Sequence, residues 1–480
     1  MSIAAEQSET RPTPVSPRFI ALVVALSFFM QLLDSTIVVT SLPQMAKSFG
    51  IQPVAMSVGI TVFMLTLAAF IPVSGWLGDR FGARNVFLVS NGIFTIASLF
   101  CGLSGTLTMF ILARAFQGLG SALMNPIGRV IVIRSAPKSE LVSAVAMITW
   151  PVLIAPVLGP VIGSFITTYF SWHWNFLINV PIGIVSLVLI WLFIPDEKAE
   201  SVGRLDIIGF ILSALGMTLV LAGLEMFVDG AAAAPYIVLS LVLGTLFSVL
   251  SVLHFRKAKA PLLDLTTFRV QSFAISTLSA GTALRLSINA TPFLIPLLFQ
   301  VGFGMKPIET GVYVLVYFAG NLAMKTVTTP VLRFFGFRNV LTVNGIIATG
   351  LIAACAVLSP STPTLITYAR LFAAGLSRSM QFTALTTIGF ADVPHSQQSS
   401  ASTLSSMLQQ VSMLLGVAVA AAVLNISRTA YGHEALTLVD FRWAFVIVGG
   451  IGIVASLRFL TLPRDAGAEV SGHRRFARSG

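Results

Sequence analysis

Two residues of opposite charge interrupt long apolar runs in the first quarter of the chain. Asp34 sits within the run that follows Arg18, and Arg114 sits within the run that begins near residue 107. A charge surrounded by hydrocarbon costs several kcal/mol unless it is paired or wetted. Read as helices rising 1.5 Å per residue, both runs place their charge ~12 Å below the same face. Burial favours a neutral carboxyl, and a neighbouring arginine favours the carboxylate. A group under both influences can change its protonation state, as a proton carrier must. A static buried ion pair is the alternative.

The other deep ionisable residues are basic: Arg285, Lys325, Arg370 and Arg378, with Asn289 one turn from Arg285. Asp34 reads as the only deep carboxylate. Arg370 is close enough to a helix end to reach the interface along its aliphatic stem. Arg285, Lys325 and Arg378 have no deep acidic partner in their half of the chain, so they are expected to face a wet cavity or carbonyl oxygens. With Asn289 they are candidates for a positive substrate pocket suited to anionic, zwitterionic or polar amphiphilic molecules. The other reading has Lys325 snorkelling and both arginines bracing the fold.

Two further stretches combine charge or proline with glycine. Gly75-Trp76-Leu77-Gly78-Asp79-Arg80-Phe81-Gly82-Ala83-Arg84 closes one apolar run and opens the next. Glycines Gly75, Gly78 and Gly82 permit close helix approach and a tight turn. Asp79 can pair with Arg80 or Arg84, or face a helix N-terminus, and a bond made in one state and broken in another can act as a gate. Pro156, Gly159, Pro160 and Gly163 lie within one apolar run. Proline removes a backbone donor and glycine admits a neighbour, which suits a kinked helix at a rocking interface, or packing alone.

The elements that must carry these residues are membrane helices. Of 480 residues, 56% are hydrophobic and 10% charged, against roughly 25% charged in an ordinary soluble domain. The apolar residues fall in blocks of about 20, the length that crosses ~30 Å of hydrocarbon. An all-α polytopic fold of about 14 spans follows. The spans are read at about 18–41, 54–77, 84–105, 107–128, 140–168, 176–194, 206–226, 234–254, 271–300, 309–332, 338–358, 363–389, 399–425 and 441–463.

Basic residues concentrate in alternate loops. One set holds Arg80 and Arg84; Arg129, Arg134 and Lys138; Lys198 and Arg204; Arg256, Lys257, Lys259 and Arg269; Arg333 and Arg338. The other holds Lys47, Lys306, Arg428 and Arg442. The richer side is expected to be cytoplasmic, with both termini there, a bias that also fits a bacterial plasma membrane. The net charge of +11 is explained by this bias, and a nucleic-acid partner is not expected.

Gly82-Ala83-Arg84-Asn85-Val86 recurs as Gly336-Phe337-Arg338-Asn339-Val340, and the same offset carries Cys101 onto Cys355. The repeat implies two six-helix bundles of like topology, at 18–194 and 271–463, with an inserted hairpin and its linkers at 195–270. Polar tails at 1–17 and 464–480 complete the division. The two cysteines lie in apolar blocks, where neither a disulfide framework nor a metal site is expected. The histidines His173, His254, His395, His433 and His473 all fall near loops. No metal-binding pair on a helix, deep carboxylate pair or phosphate-binding loop appears, so enzyme chemistry is not expected.

Five stretches resemble the fourteen-helix drug:proton antiporter branch of the major facilitator superfamily. Phe29-Met30-Gln31-Leu32-Leu33-Asp34-Ser35-Thr36-Ile37-Val38 resembles that branch's first-helix motif, and Gly75–Arg84 the superfamily's loop motif. Arg114-Ala115-Phe116-Gln117-Gly118-Leu119-Gly120 resembles the fourth-helix motif that assists proton transfer, and Gly159-Pro160-Val161-Ile162-Gly163 the fifth-helix antiporter motif. Trp174-Asn175-Phe176-Leu177-Ile178-Asn179-Val180-Pro181-Ile182-Gly183 resembles the beginning of the branch's sixth helix. Ala155 and Ser164 stand where that antiporter motif usually has glycine, and Asp79 maps onto Arg333 in the second half.

The resemblance implies proton-coupled export of small amphiphilic molecules by alternating access, with Asp34, Arg114 and Gln117 in proton coupling. No cofactor is expected beyond the proton motive force. The partners expected are a small-molecule substrate, protons and the lipid bilayer, with the chain acting as a monomer. The alternative is a dedicated metabolite or organic-anion transporter working by symport or uniport on the same fold.

Overall fold

The structure, a computed structural model, describes residues 16–50, 56, 58–138, 140–195, 203–229, 232–305 and 307–473. Most of the N-terminal tail, Lys198, Lys306, Arg474, Arg475 and Arg478 lie outside the described residues. The described chain is almost wholly helical, with no strand among the described residues.

The first half runs through α1 (Pro17–Phe49), α2 (Val58–Phe81), α3 (Ala83–Gly102), α4 (Leu107–Ser135), α5 (Leu141–Tyr169) and α6 (Trp174–Phe193). A hairpin follows, α7 (Ile207–Asp229) and α8 (Ala234–Lys257). The second half holds α9 (Gln271–Gly302), α10 (Pro307–Ala323), α11 (Thr328–Val357), α12 (Thr364–Ala391), α13 (Gln398–Ala430) and α14 (Leu438–Leu457). Eleven described helices are long and apolar enough to cross a membrane. Of the rest, α10 has 17 residues and α12 carries Arg370 and Arg378.

Local chemistry sets the helix ends. Ser16 caps α1, its Oγ accepting from Phe19 N at 3.3 Å, and Pro17 follows at the first helical position. The other end of α1 lies about two turns beyond the expected stop, where Gly50 takes a left-handed φ of 68°. α4 is longer than expected at its basic end, reaching Ser135. The expected break between the tenth and eleventh spans is drawn differently. A 3-10 turn at Met324–Thr326 ends the tenth helix early, and α11 passes through a kink at Gly336. Gly336 (φ 74°, ψ 162°) and Gly82 (φ 88°, ψ 135°) share one backbone region, so the sequence repeat is also a repeat in conformation.

Large apolar side chains cover the rim, with Trp191, Ile208, Tyr236, Phe334 and Leu365 all more than 60% exposed. A surface this apolar is expected against lipid rather than water. α7 packs against α8, α2 and α13, so the hairpin contacts helices from both halves. Its basic end is pinned by Asp206, which accepts from Gly209 N (2.9 Å), His254 Nε2 (2.8 Å) and Leu262 N (3.2 Å). Burial pushes the Asp206 carboxyl up, but these donors outweigh it and hold it below the ordinary carboxylate value.

Hydrogen bonds between the two halves gather toward the basic loops. α13 lies there against α2 and α4, and Ser402 Oγ donates to Pro126 O at 2.7 Å. Ser74 Oγ and Thr403 Oγ1 are 3.1 Å apart, both fully buried. Gly75 is required here: a Cβ would stand 2.8 Å from Thr403 Oγ1 and 3.1 Å from Ser399 O.

Candidate functional site

Five helices of the first half converge on Asp34. Arg114 Nη1 donates to Asp34 Oδ2 at 2.7 Å, and the two side chains are 0% and 1% exposed. The same guanidinium donates to Gln117 Oε1 (2.7 Å) and, through Nε, to Gly59 O (3.1 Å). It lies 4.4 Å from the Phe63 ring centroid, where a cation is attracted to the π face. Asp34 Oδ1 accepts from Gln117 Nε2 (3.0 Å) and Asn179 Nδ2 (2.8 Å). Ser98 on α3 accepts from Gln117 Nε2 at 2.7 Å. An ionised carboxylate only accepts, so three donors on two oxygens suit the charged form. Taking up a proton at Asp34 would replace an acceptor by a donor and leave Arg114 without its charged partner. Asp34, Arg114, Gln117, Asn179 and Ser98 therefore stand together in one buried cluster.

Asn179 was not singled out from the sequence. A neutral amide in an apolar helix carries no charge to mark it, although its place four residues after Asn175 gave a polar stripe to follow. The depth argument for Asp34 also needs correction, because α1 continues two turns further than expected. The pair forms nonetheless, since α1 and α4 cross at this level and their ends are not level with each other.

The loop motif makes a second cluster at the basic end. Asp79 Oδ1 accepts from Arg134 Nη2 (3.1 Å) and from Ser399 Oγ (2.5 Å), and Arg134 Nη2 also donates to Ser399 (3.0 Å). Ser399 is the second residue of α13. Asp79 thus meets Arg134 of α4 and a side-chain hydroxyl in the first turn of α13. Arg84 instead donates to Trp191 O at 2.6 Å, and Arg80 is exposed. Gly78 lies against Ile127.

Arg129, read from the sequence as a loop residue, lies inside α4. It donates to Ser405 Oγ (3.1 Å) and Gln409 Oε1 (3.0 Å) on α13. The misplaced end of the fourth span hid it. Asp34 is also not the only carboxylate within an apolar helix. Glu225 on α7 accepts from Thr61 Oγ1 of α2 at 3.0 Å.

In α5, Gly159 touches α1 so closely that a Cβ would fall 1.9 Å from Thr36 Oγ1. Thr36 Oγ1 also donates to Ala155 O at 3.2 Å. Gly163 O accepts from Thr167 Oγ1 at 2.6 Å. Pro156 and Pro160 belong to α5, but their side chains are not among those described.

The second-half basic residues occupy three separate settings. Arg285 is 2% exposed and donates to Ser276 O at 3.0 Å. Lys325 Nζ donates to Thr149 Oγ1 of α5 (2.6 Å) and Thr383 Oγ1 of α12 (2.7 Å), joining the halves. Arg378 donates to Tyr317 OH (3.2 Å) and lies 5.5 Å from the Phe382 ring centroid. Asn289 is half-buried on α9. Cys101 and Cys355 are buried and unbridged, and no group of three potential metal ligands occurs among the described residues.

The sequence pattern described as Major Facilitator Superfamily matches residues 24–417. The chain belongs to the major facilitator superfamily. It is 35% identical over 470 residues to an Escherichia coli K12 protein that carries the provisional name multidrug resistance protein MdtD, covering 96% of this chain and 98% of that protein. The Shigella boydii protein of the same name matches to the same extent. Among solved structures, the human organic anion transporter MFSD10 (TETRAN) superposes with a TM-score of 0.65 at 15% identity, covering 92% of this chain and 99% of that one. The proton:xylose symporter XylE gives 0.62 at 14% identity, covering 95% and 98%. These two share the fold. The chain is a multi-pass membrane transporter of this superfamily, and it is not an enzyme.

Proposed function

We propose that this major facilitator superfamily member is a proton-coupled secondary active transporter that exports small amphiphilic molecules, with inward protons driving substrate outward. The observation that carries the reading is the burial of Asp34 against Arg114, Gln117 and Asn179. A buried ion pair often stabilises a fold no more than apolar residues of similar volume would, so bracing alone gives little reason for a carboxylate here. Asp34 does have the properties of a protonation switch. In this reading, protonation weakens the hold on Arg114 and shifts the balance between states open to opposite sides. Asp79, Arg134 and Ser399 hold the basic end closed in the state described here, with Arg80, Arg84 and the glycines shaping the turn. α5 meets α1 closely at Gly159, a contact suited to a rocking interface. Resemblance to the MdtD proteins at 35% identity favours drug-like substrates.

The proposal includes about fourteen crossings, two six-helix bundles around the α7–α8 hairpin, both termini cytoplasmic, and a monomer in a bacterial inner membrane. A second reading, a dedicated transporter of organic anions, is favoured by Arg285, Lys325 and Arg378. Arg285 is met by a carbonyl, Lys325 by two hydroxyls, and Arg378 by a hydroxyl and aromatic rings. The test is proteoliposomes with a trapped pH dye, to which cationic, zwitterionic and anionic compounds are added in turn. Proton movement opposite to substrate, lost in Asp34→Asn, supports antiport. Substrate movement without proton flux contradicts it.

A further inference from the structure

Asp34 and its partners are closed to water, so a carrier role requires a route for the proton. A second polar cluster lies above it, toward the face where α1 ends. Gln44 is exposed and donates to Thr167 O at 2.8 Å. Ser41 Oγ lies 3.3 Å from Thr167 Oγ1, and Asn175 Nδ2 donates to both Ser41 Oγ and Thr167 Oγ1. Ser41 is 0% and Asn175 1% exposed. Ser41 follows Asp34 by seven residues, two turns along the same face of α1, a rise of about 10 Å.

Asn175 and Asn179 span this interval on α6. They are four residues apart, which stacks them on one face of the helix about 6 Å apart. Both direct their amide Nδ2 groups at α1, Asn175 to Ser41 and Asn179 to Asp34. The carboxylate dictates the second orientation, since it must be met by a donor. Both carbonyl oxygens, Asn175 Oδ1 and Asn179 Oδ1, are then left buried without a hydrogen-bond partner. A buried acceptor left unpaired costs about 1–3 kcal/mol, and two such groups one turn apart would supply two of the partners a buried water takes.

We propose that Asn175 and Asn179 hold water between their carbonyl oxygens, and that this water completes a proton route from Gln44 and Thr167 through Ser41 to Asp34. Two or three hydrogen-bonded waters span the ~10 Å from Ser41 to Asp34. The hydroxyls and waters carry the proton, each oxygen accepting one and releasing one, while the amides position the water. At the end of the route Asp34 gains an O–H and Arg114 keeps its charge. The ionisable groups facing Asp34 are Arg114 from α4 and the thiol of Cys101 from α3, whose Sγ is 3.6 Å from Gln117 Oε1. This inference rests on the proposed role of Asp34 as the proton carrier.

The test follows the Asp34 carboxyl by infrared difference spectroscopy after a pH jump, its band identified by loss in Asp34→Asn. In the full-length protein in liposomes, Asn175→Leu is expected to slow protonation of Asp34 by at least about ten-fold. Ser41→Ala, which removes the relay hydroxyl and adds no bulk, should slow it to a similar extent. Membrane abundance and melting temperature report any loss of fold, and Ser41→Ala tests the route if the leucine variant is unstable, an unaltered rate there overturning it. An unaltered rate in Asn175→Leu overturns the route while leaving Asp34 as the carrier. Absence of any titrating Asp34 band in the unaltered protein overturns the proposed function and the route together.

Discussion

Asp79→Asn is the sharpest perturbation of the closed basic end. It keeps the shape of the side chain and removes the charge that Arg134 and Ser399 meet at 3.1 and 2.5 Å. A hydrogen bond to a charged group contributes about 1.5–3 kcal/mol. Asp79 is 26% and Arg134 9% exposed, so solvent screening reduces the loss to roughly 1–2 kcal/mol. At 1.4 kcal/mol per factor of ten, that shifts the closed-to-open ratio by roughly 5- to 30-fold. A reporter is at hand in Ser402, which is 0% exposed and bonded to Pro126 O across the interface. In a background lacking Cys101 and Cys355, Ser402→Cys should be labelled by a small soluble thiol reagent roughly 5 to 30 times faster when Asp79 is Asn. Arg134→Ala should have a similar effect alone and add little in combination, because the two residues share one bond. Equal labelling with and without Asp79→Asn would refute the argument that this cluster holds the end closed.

Other outcomes follow from the same geometry. Arg114→Ala leaves Asp34 buried without its cation and should destabilise the folded protein by about 3–5 kcal/mol, read as a large fall in melting temperature that Asp34→Asn in the same chain partly restores. Gly159→Val forces atoms into the 1.9 Å gap at Thr36; the overpacking costs about 1–3 kcal/mol and should lower transport more than membrane abundance. The Asp206 carboxyl is held below its ordinary value of 3.8, so its contribution is present above that value and is lost as pH falls through the lower folded value. Asp206→Asn should therefore flatten the fall in melting temperature below about pH 4. Charge-removing changes at Arg285 and Arg378 should reduce transport at unchanged membrane abundance if these residues face substrate, and full activity in both variants would remove that role.

Charges in apolar sequence were legible because their cost is large and their partners few. Asp34 and Arg114 surfaced that way, Asp79 surfaced through the glycine-rich loop stretch, and the pairing of each can be seen directly in the structure. What was illegible had a physical reason in each case. Asn179 donates to Asp34 Oδ1 as Gln117 does, yet an amide costs too little to stand out among apolar residues. Arg129 was misread because the expected fourth span ends at 128, although the apolar residues 130–133 carry α4 on to Ser135 and place Arg129 inside the helix, against α13. Glu225 escaped notice because it lies one turn from the end of α7, where a carboxylate reads as interfacial until Thr61 is seen beside it. The pairing of Asp79 with Arg134 joins residues 55 positions apart, which no local reading of the loop supplies. The helical architecture was the most legible part, since hydrocarbon thickness imposes a length on each apolar block.

The central claim is that Asp34 couples proton movement to substrate movement. Its most direct test is purified protein in liposomes with a trapped pH dye, challenged with substrate under an imposed proton gradient beside the Asp34→Asn variant. The account predicts proton flux opposite to substrate in the unaltered protein and none in the variant. Substrate transport without proton flux, or equal flux in Asp34→Asn, would contradict it.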